Sequence, residues 1–314
     1  MHLGNLRLDL LQYDSATASF DRSIELYREL NDSAGLAAVL ERKSYTAKNS
    51  AKYAEAMEYA LEALHIWDAL QDDAGRATAN VMLSDLLYYQ KKYEESIPNA
   101  ELALGIMTRI GHEAGMAGPH LMIGESYLLL EEYGLALEHI NTALKINEAL
   151  NSPPLSIGSI LNSRGNVYKF LNEFDNALAN YSRALQICED LDFEPGRMAT
   201  TANVGHVYLL MGRYEQALPY TLQAIEMMET SGNKANIIEN YLHASSAYEG
   251  LGPYAAALGW HQKYSATKNS IFTIGKDRTL SELRTKYETE TKPFAYVIFI
   301  LKWYYLQEPT NNDR

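Results

Sequence analysis

Residues 123–144, IGESYLLLEEYGLALEHINTAL, decide the architecture because they occur again. Residues 164–185 read RGNVYKFLNEFDNALANYSRAL, and residues 204–225 read VGHVYLLMGRYEQALPYTLQAI. Each copy holds a glycine, a tyrosine three residues on, an aromatic six further and an alanine three beyond that. Working outward, the aromatic marker falls at Tyr13, Tyr53, Tyr93, Tyr133, Phe174, Tyr214 and Tyr254, in steps of 40, 40, 40, 41, 40 and 40. A fixed period of this size predicts one helical unit stacked many times.

The other positions of the unit say how it packs. Three residues after the marker stand Ala16, Ala56, Ser96, Ala136, Ala177, Ala217 and Ala257. Ten after it stand Ser23, Ala63, Ala103, Ala143, Ala184 and Ala224, each followed by Ile or Leu. Nine before it there is Gly4, Ser44, Ser84, Gly124, Gly165, Gly205 or Ser245. Helices approach closely only where side chains are small, and larger apolar groups fill the flanking grooves. Spacings of three, four and seven put these residues on one helical face, so the stripes are core. Turn segments such as NDSAG (31–35), QDDAG (71–75) and DFEPG (192–196) punctuate the units. They predict a helix A over about 34–50 and a helix B over about 53–70, repeated along the chain.

Composition narrows the function. The 314 residues are 47% hydrophobic, with 9 prolines and 19 glycines, which suits a folded body. The net charge of −13 disfavours nucleic acid and favours basic peptides. The lone Cys188 forbids an intrachain disulfide and reads as a buried small apolar residue. No secretory signal opens the chain, and the apolar run 294–306, broken by Lys302, is too short to span a bilayer. We therefore expect a cytoplasmic location, with the periplasm left open. Met1 falls inside the first helix A, which predicts a truncated first repeat with an open apolar face able to pair with another chain.

The glycine, tyrosine, aromatic-x-x-alanine and alanine-leucine positions of the quoted segments, with LGNLRLDLLQYDSATASF at 3–20, resemble the tetratricopeptide repeat. The resemblance covers about residues 1–268. It departs from the family in its period of 40 rather than 34 and in lacking the early tryptophan and the closing proline. It implies an all-α, right-handed α-solenoid of about seven extended helix pairs over 1–272. A capping or coiled-coil-like helix is expected at 273–292, and an apolar tail with a polar end at 293–314. That tail is expected either to pack, to touch a membrane or to self-associate. Residues 286–290, KYETE, are similar to the segment that follows the repeats in bacterial sensor proteins, ahead of an output domain.

Chemistry is hard to find in this sequence. A hydrolase elbow begins at Gly124-Glu125-Ser126 but fails at Leu128. A zincin motif begins at His112-Glu113 but fails at Met116. Gly275-Lys276 lacks the rest of a phosphate loop, and the histidines lack metal spacing. The expectation is no enzyme, no cofactor and no metal.

The family resemblance instead implies a groove lined by the A helices, and a protein or peptide bound there. Carried over position by position, the groove residues are Tyr45, Asp85, Glu125, Asn166 and His206, eight before each marker, and Asn162, twelve before. Tyr88, Tyr89, Lys169 and Phe170 lie one turn further on. Asn162, Asn166, Lys169 and His206 would grip a backbone or carboxylate, and Tyr45, Tyr88, Tyr89 and Phe170 would stack on an apolar anchor. The expected role is the sensory or regulatory part of a bacterial signalling protein. The alternatives are a signalling enzyme (histidine kinase or nucleotide cyclase) whose catalytic domain lies beyond this chain, and a small-ligand sensor.

Overall fold

The computed structural model describes residues 13–232 and 234–270. The capping helix expected at 273–292, the tail expected at 293–314 and the truncation expected in the first repeat before Tyr13 lie outside them. The described chain is all helical and falls into two compact units, one running through Ala224 and one from Ile225 onward. The elements are α1 (Tyr13–Glu29), α2 (Ser33–Asn49), α3 (Tyr53–Leu70), α4 (Asp73–Tyr89), α5 (Tyr93–Ile110), a 3-10 turn (Glu113–Met116) and α6 (Ala117–Leu129). They continue as α7 (Tyr133–Ala149), α8 (Pro154–Phe170), α9 (Phe174–Asp190), α10 (Glu194–Leu210), α11 (Tyr214–Ser231), α12 (Lys234–Leu251) and a helix over 254–270. Even-numbered helices are A helices and odd-numbered ones are B helices. Each marker from Tyr13 to Tyr214 opens a B helix.

Local chemistry sets these boundaries. Asp32 accepts a hydrogen bond from the Gly35 N–H at 2.9 Å, and Asp72 accepts one from the Gly75 N–H at 2.8 Å, capping α2 and α4. Left-handed residues recur with the period of the repeat. Asn31, Gln71, Gly111, Asn151, Asp192 and Gly232 end B helices, and Ala51, Lys91, Glu131, Asn172, Gly212 and Gly252 end A helices.

The unit through Ala224 is an α-solenoid of helix pairs. Each A helix packs on its own B helix and on the B helix before it. The alanines three and ten after the marker are fully buried at Ala56, Ala63, Ala136, Ala143, Ala177 and Ala184. The position nine before the marker takes one of two forms. Where it is serine, its hydroxyl donates to a backbone carbonyl three residues after the marker: Ser44 Oγ to Ala56 O at 2.8 Å. In the next repeat the carbonyl is Ser84's own, which accepts from Ser96 Oγ at 2.8 Å, while the two hydroxyls lie 2.9 Å apart. The facing residue seven after the marker is then small, Ala60 or Ala100, and fully buried. Where the position is glycine, the facing residue is larger: Ile140, Tyr181 or Thr221. A Cβ at Gly124 would stand 2.6 Å from Ile140 Cγ1, and one at Gly165 would stand 2.6 Å from Tyr181 Cε1. Serine-with-alanine and glycine-with-larger are two ways of filling the same contact between helices.

The A helices also touch each other along the array, α2 with α4, α4 with α6, α6 with α8 and α8 with α10. Among the described residues the B helices make no comparable contact with one another. The A layer is thus the tighter one, and the unit curves toward it, leaving the A faces as the inner, concave surface.

The unit from Ile225 holds the end of α11, α12 and the helix over 254–270. Ser245 Oγ donates to Ala257 O at 2.9 Å, repeating the serine hydrogen bond, here with the exposed His261 seven after the marker. Tyr241 donates to Glu229 Oε1 at 2.9 Å and packs 5.8 Å from the Trp260 ring.

Candidate functional site

The inner face of the unit through Ala224 is built from two kinds of side chain. The first is a ladder of polar groups that bridges successive A helices. Lys48 on α2 donates to Asp85 Oδ2 on α4 at 2.5 Å. Ser163 on α8 donates to Glu125 Oε1 on α6 at 2.5 Å. Asn203 on α10 donates to Asn162 Oδ1 on α8 at 3.0 Å, and Thr200 Oγ1 lies 3.4 Å from the same oxygen. Lys169 Nζ, buried, reaches Asn166 Oδ1 at 3.3 Å and Asn203 Oδ1 at 3.5 Å. Asn166 Oδ1 also accepts the Tyr181 hydroxyl at 2.7 Å.

The second kind is aromatic and open. Tyr45 is 46% exposed, Tyr89 50% and Phe170 51%. Tyr89 stacks on Tyr53 with centroids 6.2 Å apart, and Tyr88 meets it edge-on at 5.7 Å. Phe170 stacks on Tyr133 at 6.1 Å. Lys48 Nζ sits 5.2 Å from the Tyr45 centroid and 5.0 Å from that of Tyr89, held as a cation between two rings. Each ring is stacked or propped on one side and open on the other, so it is pre-ordered for a partner.

The structure brings Tyr45, Asp85, Tyr88, Tyr89 and Glu125 together at one end of this face, and Asn162, Asn166, Lys169 and Phe170 toward the other. His206 lies half-buried on α10. Asn162, Asn166 and Lys169 are already engaged across the repeats, which the sequence reading did not foresee. That reading also missed Lys48, Ser163 and Asn203. Lys48 stands five before its marker, as Lys169 does, and Ser163 and Asn203 both stand eleven before theirs. The periodic signal was present, but it becomes a partner list only once the neighbouring helix is in place.

The electrostatics centre on Glu125. Burial pushes its carboxyl above the usual range, the Ser163 hydroxyl opposes this, and the charge of Asp85 adds to it. Burial, with Glu125 close by, also raises the Tyr88 phenol. Because the folded pKa of Glu125 exceeds its unfolded value, its contribution to stability is fully present below the ordinary carboxylate range. It is lost as pH rises through the raised value. We expect Glu125→Gln, which keeps an oxygen for Ser163, to flatten this decline. Denaturation midpoints of both proteins from pH 4 upward measure it, and parallel curves would contradict the assignment. Among the described residues no group of three or more His, Cys, Asp or Glu side chains is placed to hold a metal ion. No described helix is long and apolar enough to cross a membrane.

These helix pairs and their inner face define a class of protein, and comparison with known proteins agrees. A tetratricopeptide-repeat family model matches residues 156–230 and 197–270. These residues carry tetratricopeptide repeats, and helix pairs of the same register run upstream through α2–α7. No curated protein matches the chain in sequence.

Three solved structures share the fold. The Rap conjugation gene regulator of plasmid pLS20, in complex with the Phr* peptide, has a TM-score of 0.66 and 13% identity, over 86% of this chain and 73% of that one. A signal-transduction ATPase with a tetratricopeptide-repeat sensor from Pyrococcus horikoshii has a TM-score of 0.65 and 15% identity, over 88% of this chain and 43% of that one. Aspartyl phosphate phosphatase F from Bacillus subtilis has a TM-score of 0.57 and 14% identity, over 78% of this chain and 74% of that one.

The phosphatase corrects one expectation. Missing hydrolase, zinc and phosphate-loop motifs led to the reading that this chain is no enzyme, yet an enzyme stands on the same fold. The physical reason is that an acyl phosphate is an activated bond. Its hydrolysis calls for a water held in line by individual side chains, and residues scattered over helix faces supply that without any contiguous motif.

Proposed function

We propose that the chain is a regulatory interaction module that takes an extended segment of a peptide or protein partner along the inner face of its A helices. The observation that carries this reading is the pairing of ordered, half-open rings at Tyr45, Tyr89 and Phe170 with a polar ladder. Open aromatic faces beside satisfied polar groups are the usual anatomy of a binding hot spot. In this reading Asp85, Tyr88, Glu125, Asn162, Asn166, Lys169 and His206 line the path. A fold neighbour that is a gene regulator bound to a peptide supports it. A cytoplasmic setting belongs to the same proposal and suits the single, buried Cys188.

Footprinting tests the face. With the captured partner bound, hydroxyl-radical labelling should fall at Tyr45, Tyr89 and Phe170. It should stay unchanged at Leu61 and Leu102, which are exposed on the B helices α3 and α5. Protection of the leucines instead would place the partner on the outer face.

A further inference from the structure

We propose that Glu125 is the seat of a cationic side chain, arginine or lysine, carried by the segment that occupies the inner face. This rests on the groove reading above and names the chemistry of its ligand. The argument comes from the repeat itself. Asp85 and Glu125 occupy the same position, eight before their markers Tyr93 and Tyr133. Asp85 receives its cation from the preceding A helix, where Lys48 stands five before Tyr53. The residue in that place for Glu125 is Tyr88, which brings a ring and no charge. Among the described residues Glu125 therefore has one hydrogen bond, from Ser163, and no ion pair, and the charge that bears on it is the like charge of Asp85.

A largely buried carboxylate without a cation is costly, and either a proton or an incoming cation relieves it. The surroundings favour the cation. Tyr88 and Tyr89 lie near enough to feel the Glu125 charge, and Lys48 over the Tyr89 ring shows how this face seats an ammonium group. Ser163 fixes one carboxylate oxygen, Oε1, and no described side chain hydrogen-bonds the other. The net charge of −13 draws cations toward the molecule.

Acetyl-arginine amide is the probe, with acetyl-citrulline amide as its uncharged counterpart, and the readout is the carbon-13 NMR titration of the Glu125 carboxyl. Arginine should lower the Glu125 pKa, and citrulline should leave it in place. Glu125→Gln should weaken arginine binding at least about tenfold, the size expected when one partner of a charge pair is removed. Tyr88→Lys should lower the Glu125 pKa without any probe and abolish the response to arginine, because it restores the internal cation. A Glu125 titration that arginine does not move, or equal arginine affinity in Glu125→Gln, would overturn the proposal. Partner protection at Tyr89 that survives Glu125→Gln at full affinity would sink this subsite and leave the groove reading standing. An arginine response without any partner protection on the inner face would do the reverse.

Discussion

Tyr181→Ala should lose about 3–5 kcal/mol of stability, the cost of emptying a fully buried aromatic site. The Tyr181 side chain is 0% exposed, and its ring lies where a Cβ at Gly165 would stand 2.6 Å away. Its hydroxyl donates to Asn166 Oδ1 at 2.7 Å. Truncation therefore opens a cavity between α8 and α9 and removes a donor from Asn166. Tyr181→Phe keeps the ring and separates these effects, and it should cost only about 0.5–1.5 kcal/mol for the hydrogen bond. The double variant Gly165→Ser with Tyr181→Ala recreates the serine-with-alanine contact of Ser44 with Ala60. The introduced hydroxyl would then reach the Ala177 carbonyl as Ser44 reaches that of Ala56. We expect it to recover part of the loss, so the cycle should be non-additive. Urea denaturation of the wild type, both single variants and the double variant measures this. Additive effects would show that the two positions do not share one packing volume.

Tyr89→Ala combined with Phe170→Ala should lower partner affinity by about 3–4 kcal/mol, or several hundredfold, since buried aromatic anchors commonly contribute about 2 kcal/mol each. Both rings are half open, and each stacks on the first residue of a B helix, Tyr53 or Tyr133. Removing them takes little from the core, so stability should move by roughly 0.5 kcal/mol per site. The matched control is Glu94→Ala with Glu95→Ala, in the first turn of the B helix α5. Calorimetric titration with the captured partner decides between them. Equal loss in the control would move the contact off the inner face, and undiminished affinity in the ring variant would remove the rings from it. Asn166→Ala is a poor reporter of binding by comparison. Its carbonyl holds both Tyr181 and Lys169, so its loss disturbs packing and groove together.

The sequence by itself determined the helix pairs and their period. These follow from spacing within one helix and from turn residues that recur every 40 positions, both of which are local. The helices predicted over 34–50 and 53–70 are found at Ser33–Asn49 and Tyr53–Leu70. Tertiary structure alone decided which inward residues are spent on the fold and which remain open. Lys48 with Asp85, Ser163 with Glu125 and Asn203 with Asn162 are 37, 38 and 41 residues apart. Nothing local in the chain announces such pairs. The same holds for the glycine or serine nine before the marker, which looks like a free choice in sequence. In the unit through Ala224 it goes with the size of the side chain sixteen residues on, alanine facing serine and a larger residue facing glycine, because two helices in contact must fill one space between them. Glu125 shows the consequence for function. Its unpaired state comes from a tyrosine on the neighbouring A helix, 37 residues earlier, where the repeat before it has a lysine.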